Sequence, residues 1–244
     1  MDMMKTKIVL FVLLAVLCRL GTVCADDDDW TPVIEKNGIT VSARMHPDND
    51  VREYRAVTIL DENIQSVSAV LDDIPAAVEW FPFCRFAGLI DAESDGRKII
   101  INVADLPWPF QDRYAVFSSR KTGNPAKKEI AIDFEVDKDS LSRNVDSLVD
   151  ADAMVRISFM KGEWLLTMIG PDKTKVTYTV CADAGGHIPG WLITTFFDST
   201  PYKTLENLKQ FVKKTKYQQH SMVDQASVLT EDQGSSVSSG FSGR

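Results

Sequence analysis

The sequence predicts an α+β domain in which a long, curved antiparallel sheet wraps around a kinked C-terminal helix. Three observations predict it. Short segments alternate apolar and polar residues and follow one another through short loops, the pattern of antiparallel neighbours rather than βαβ crossovers. One internal stretch and the last periodic stretch repeat every three to four residues instead, the helical period. Between two of the strands lies a Pro/Trp loop. With the aromatic stripe of the last helix, it gives such a sheet the means to enclose an apolar cavity, although the same stripe also fits an ordinary core seam.

Taken in order, residues 1–25 read as a targeting segment. Lys5 and Lys7 precede an apolar run over residues 8–17, and Val23-Cys24-Ala25 resembles a small-residue cleavage pattern. The run is about half the ~20 residues a membrane-spanning helix needs, and Arg19 on its far side argues against an uncleaved anchor. The expectation is therefore a signal peptide over 1–25, a folded domain over 26–217, and a Ser/Gly-rich disordered tail over 218–244. The product is expected to be exported: periplasmic in a Gram-negative host, otherwise secreted. Cleavage removes Cys18 and Cys24 and leaves Cys84 and Cys181, either a disulfide or two buried thiols.

Strands are predicted over 39–43 and 51–60, linked by the turn-forming Pro47-Asp48-Asn49-Asp50. Ile64, Val67, Val70, Leu71, Ile74, Val78 and Phe81 then recur at helical spacing, interrupted at Pro75. Further strands are predicted over 86–90, 98–103, 114–120, 129–136, 154–159, 163–169 and 175–181. The terminal helix carries Ile188, Trp191, Leu192, Thr195, Phe196, Tyr202, Leu205, Leu208 and Val212 on one stripe, with a kink expected at Pro201.

Charge narrows the functions. With 27 Lys+Arg against 35 Asp+Glu the chain is acidic, at net charge −8. It has no basic block, so neither phosphate contacts with nucleic acid nor polybasic docking on anionic lipid is expected. His46, His187 and His220 are far apart and lack a second ligand at metal spacing, so no metal and no cofactor is expected. No Gly-rich phosphate loop and no Gly-x-Ser-x-Gly elbow lies in the folded part. Asp105, Asp112 and Arg113 flank Pro107-Trp108-Pro109-Phe110, and Glu79 precedes Trp80. Inside a cavity they would be functional groups. The plainer reading, a salt bridge that stitches loop to strand, is favoured.

These segments, in this order, resemble the START (steroidogenic acute regulatory protein-related lipid transfer) domain family of the helix-grip fold. The resemblance runs from about Trp30 to Tyr217. Its markers are Gly38-Ile39-Thr40-Val41, Val51 to Ala56, Val70-Leu71-Asp72 with Trp80, and Pro107 to Arg113. Met154-Val155-Arg156, Gly162-Glu163-Trp164 and Ala184 to Trp191 complete the series. Where the family often has Arg-Asp, this chain reads Arg113-Tyr114, so no role is carried over for that acid.

The resemblance implies a tunnel between sheet and terminal helix that holds one lipid, with that helix and the 104–111 loop as its gate. From the gate loop the expected cavity residues are Leu106, Trp108, Phe110 and Arg113. From the sheet and helices they are Trp80, Trp164, Trp191, Thr195 and Phe196. The leading reading is a monomeric, non-enzymatic carrier of a lipid or other hydrophobic molecule that touches membranes transiently. Two alternatives stand beside it: a cyclase- or hydrolase-like enzyme using Glu79, Asp105, Asp112 or Tyr114 as acid or base, and a module that senses a ligand for a protein partner.

Overall fold

The computed structural model describes residues 29–47, 51–137, 145, 147–186, 188–189 and 198–218. The chain divides into two units, Met1–Trp30 and Thr31–Arg244; the elements below all belong to the second. The signal peptide expected over 1–25 lies outside the described residues, as do Trp191, Thr195, Phe196 and the tail beyond Gln218.

Strands β1 (Thr31–Lys36), β2 (Ile39–Met45) and β3 (Arg52–Leu60) come first, followed by helix α1 (Ile64–Asp72), a 3-10 turn (Ile74–Ala76) and the single-turn helix α2 (Ala77–Trp80). Strands β4 (Cys84–Ala92), β5 (Arg97–Ala104), β6 (Arg113–Asn124) and β7 (Glu129–Val136) follow, then a second 3-10 turn (Ala151–Ala153). The two-residue β8 (Val155–Arg156) and the long strands β9 (Phe159–Gly170) and β10 (Lys173–Asp183) complete the sheet. Helices α3 (Thr200–Phe211) and α4 (Thr215–Gln218) close the described chain.

Among the described residues ten strands make one sheet, in the order β1-β2-β3-β10-β9-β7-β6-β5-β4, with β8 attached to β6. Every pairing is antiparallel except β6–β8. Local chemistry explains most boundaries. The β1–β2 hairpin turns on Asn37 and Gly38, both at positive φ (54° and 70°), the geometry of a two-residue type I′ turn. Asn63 caps α1 by accepting a hydrogen bond from the Ser66 N–H. Pro75 cannot donate to a continuing helix, so the predicted break falls there as a 3-10 turn. Pro201 lies in the first turn of α3, where its missing N–H goes unnoticed; the kink expected there also involves 191–197, which lie outside the described residues.

One expectation is corrected. One continuous strand was expected over 154–159, but Val155 and Arg156 pair in parallel with Arg113 and Tyr114, while Phe159 already begins β9 opposite Asp183. The neighbouring β7 reaches β6 only from Phe117 onward, so the start of β6 is free to take this short bridge.

The period-two pattern sends one residue set to each face. On the inner face Val41, Ala56, Leu166, Val176 and Ile132 meet Ile64, Val67 and Val70 of α1 and Tyr202, Leu205 and Leu208 of α3 in one buried cluster. On the outer face of β5 and β6, Ile99, Ile101, Val103, Tyr114 and Val116 form a second cluster with Val145. Asn37 ties α3 to the sheet: its side-chain amide donates to the Tyr202 hydroxyl (3.0 Å) and to Glu206 (3.1 Å). Cys84 and Cys181 are buried free thiols.

Gly162 of β9 faces Phe134 of β7 and Val180 of β10. A Cβ there would collide with the Thr179 carbonyl oxygen and the Phe134 ring. Gly162→Ala is expected to destabilise the fold by about 1–3 kcal/mol, the usual cost of overpacking, read as a lower midpoint in urea unfolding; an unchanged midpoint would contradict this packing.

Candidate functional site

The inner face is solid at one end and open at the other. Where the α1 and α3 side chains stop, a cavity of about 500 Å³ begins. Its walls come from Met45 at the end of β2, Val51, Arg52 and Tyr54 at the start of β3, Phe81 to Phe83 after α2, and Asn102, Ala104 and Leu106 along and beyond β5. Ile157 and Met160, the inward side of β10 from Tyr178 to Ala182, the segment Asp183 to Gly186, and Ile188, Thr200 and Pro201 complete the lining. Most of these side chains are apolar, a surface suited to a hydrophobic guest.

The floor is aromatic. Tyr178 stacks on Trp164 with ring centroids 4.1 Å apart and 20° between planes, and Phe134 and Phe81 lie 6.3 Å and 6.4 Å from the same ring. Trp80 backs this layer, 6.2 Å from Trp164 and 6.3 Å from Phe211. Trp80 and Trp164 are therefore brought together as core beneath the floor, and neither lines the cavity.

Polar groups sit nearer the opening. The Tyr54 hydroxyl donates to Asp198, which also faces the Arg52 guanidinium at 3.5 Å. Burial first, and the hydrogen bond to the Asp198 carboxylate second, push the Tyr54 phenol up to about 12. Burial alone raises Tyr178 further. Asn102 donates to the Cys84 sulfur at 3.1 Å.

The 104–111 loop is anchored at its ends and exposes Trp108 at its tip. The Asp105 N–H donates to the Phe83 carbonyl (2.8 Å), and the Leu106 N–H to Asp112 (3.2 Å). Asp112 pairs with Arg85 at 2.8 Å, the loop-to-strand salt bridge that the sequence favoured. Leu106 lines the cavity, Phe110 is half-buried in the loop, and Trp108 is 92% exposed. Arg113 stands behind the wall, 3% exposed, donating to the carbonyls of Gln111, Ala184 and Gly185. It joins the 104–111 loop to the Gly185-Gly186 segment, both glycines at positive φ, and its burial lowers its pKa against the pull of Asp112. Of the four acid–base candidates, Glu79 pairs with Lys214 at 2.6 Å, Asp112 with Arg85, and Tyr114 packs in the outer cluster. None of these, nor Asp105, lines the cavity.

Sequence reasoning missed Tyr54, Tyr178 and the Phe81–Phe83 wall. Tyr54 and Tyr178 occupy inward positions of predicted strands, and that alternation was the signal available for them.

The START domain family model matches residues 19–218, most of the chain. The chain belongs to the START domain family. The solved structure of a STAR-related lipid transfer protein from Xanthomonas axonopodis has 27% identity and a TM-score of 0.65, covering 77% of this chain and 100% of that one. An uncharacterized protein of Pseudomonas aeruginosa is 25% identical over 189 residues, 77% of this chain and 88% of its own length. The rat phosphatidylcholine transfer protein is 21% identical over 168 residues, 68% of this chain and 75% of its own length. The ten-stranded sheet around α3 is the START, or helix-grip, fold.

The raised Tyr54 phenol gives a pH dependence. Its unfolded value is about 10, so the stability it contributes is complete below about pH 10 and is lost as pH rises toward its folded value of about 12. In ultraviolet titration of the native protein, Tyr54→Phe should remove a tyrosinate signal appearing near pH 12; loss of a signal near pH 10 instead would contradict the buried hydrogen bond.

Proposed function

We propose that this START-family chain is a non-enzymatic carrier that holds one lipid or other hydrophobic molecule in the cavity and exchanges it at a membrane surface. The observation that carries this reading is the cavity of about 500 Å³, apolar along most of its wall and floored by stacked aromatic rings. Each methylene group moved from water into such a space gains about 0.8 kcal/mol, so an acyl chain or ring system is held without any covalent step. Two tyrosines of the wall ionise far above neutral pH, which suits them to hydrogen bonding rather than proton transfer in neutral conditions.

In this reading the 104–111 loop and the C-terminal helix are the gate. Trp108 at the loop tip is the residue that meets the lipid interface, where indole rings prefer to lie. An acidic chain approaches the bilayer through this apolar tip rather than through a basic patch. The protein acts as a monomer after export, with 1–25 removed as a signal peptide, 26–217 as the lipid-binding domain and 218–244 as a tail. The location is the periplasm in a Gram-negative host and the exterior otherwise.

Native mass spectrometry of the purified mature protein tests the carrier: one lipid per chain is expected, and the absence of bound lipid together with no uptake from mixed vesicles would overturn it. Transfer between vesicles tests the gate. Trp108→Glu is expected to slow transfer at least about fivefold with an unchanged thermal midpoint, and the rate of the unmodified protein should be insensitive to salt. An unaltered rate in the variant would remove Trp108 from the mechanism.

A further inference from the structure

The polar atoms of the cavity have an uneven distribution, and they restrict what fits inside. Tyr178 is 4% exposed, yet among the described residues its hydroxyl has no hydrogen-bond partner, and burial is the sole influence on its ionisation. The hydroxyl itself is not sealed off, since the fully buried side-chain atoms without a partner lie on other residues, Ser68 and Trp80 among them, so it keeps access to the cavity its side chain lines. A guest that displaces water there must supply its partner or leave it unpaired at a cost. The ring packs against those of Trp164, Phe134 and Phe81. The side chain lines the floor, on the same strand face as Val180 and Ala182, which lead up to the exposed Asp183. The opening has the opposite character. Arg52, the one cation among the described lining residues, lies within 3.5 Å of Asp198, and Asp183 adds a second carboxylate.

We propose that the cavity takes a compact, electrically neutral lipid, a single chain or a fused-ring system with a hydroxyl or carbonyl head, and that the Tyr178 hydroxyl hydrogen-bonds that head at the floor. The inference rests on the carrier reading. Three observations bear on it together. Size comes first: about 500 Å³ is mid-range for pockets that hold ligands of drug size, and a two-chain phospholipid has about twice the non-hydrogen atoms of such a ligand. Charge comes second. A phosphate or carboxylate head would meet two carboxylates and one already engaged guanidinium at the opening, and no cation at the floor. The third is the phenol itself, which both donates to a carbonyl and accepts from a hydroxyl. The amide of Asn102 on β5 adds a second polar contact on the wall.

The test uses the full mature chain at pH 8, incubated with phosphatidylcholine vesicles that carry cholesterol, hexadecanol and palmitate, and read by native mass spectrometry. A one-to-one adduct with cholesterol or hexadecanol is expected. Tyr178→Phe should weaken that lipid about three- to tenfold, the worth of one neutral hydrogen bond. The same variant should leave binding of the matching hydrocarbon, cholestane or hexadecane, unchanged. Its lipid-free thermal midpoint should stay within about 2 °C, because among the described residues the hydroxyl serves no other. Phosphatidylcholine or palmitate as the main adduct, an unaltered affinity in Y178F, or a larger fall in its lipid-free midpoint would each overturn this inference and leave the carrier reading in place. Binding of none of the four lipids would overturn both.

Discussion

The stack of Tyr178 on Trp164, 4.1 Å between ring centroids, divides the inner face of the sheet into a filled half and an empty half. Below it Trp80, Phe211 and the apolar residues of α1 and α3 leave no room for a guest. Above it the strands continue without helix side chains reaching in from α1, and the cavity occupies that length. Core and cavity thus draw on the same sheet and meet at Tyr178, Phe81 and Val180, which pack on the core and line the cavity. Leu205, Leu208 and Val67 are wholly buried and hold the fold, while the wall from Phe81 to Phe83 and from Val180 to Gly186 is left to the ligand. The aromatic layer is rigid because each ring is held by others and Gly162 leaves space for Phe134 beside it.

The opening is organised differently, by hydrogen bonds and charges instead of packing. Arg113 holds three backbone carbonyls from two loops, so the 104–111 loop and the Gly185-Gly186 segment are joined through one buried guanidinium. Hydrogen bonds to a charged group are about twice as strong as neutral ones, and Trp108 at the tip of the loop is exposed. The Tyr54–Asp198–Arg52 group performs a similar service on the opposite side, connecting the start of β3 to the residues just before α3.

The architecture was largely legible in the sequence because it rests on period. Glu129–Val136 alternates cleanly, and Ile132 is buried with Asp133 exposed as expected. Pro75 breaks the helix where its missing N–H requires. Strand β1 was not anticipated, since Thr31–Lys36 is mostly exposed and has no apolar alternation; only the Asn37-Gly38 turn announces it. The site was less legible. Leu106 lines the cavity, but Trp80 and Trp164 are core and Trp108 points to solvent. An aromatic residue has the same pattern in a core seam and in a cavity wall. What separates the two is whether a helix covers it, and that is decided by α3 packing on β2 and β3 rather than by the local sequence.

The central claim is spatial: a lipid lies between the aromatic floor and the gate loop. Photo-crosslinking with a diazirine-bearing cholesterol, followed by peptide mapping of the adducts, measures this directly. The account predicts labelling of Phe81–Phe83 and of the β10 segment from Tyr178 through Gly186. Labelling confined to the outer cluster around Val145 and Met154, with those segments unmodified, would contradict it.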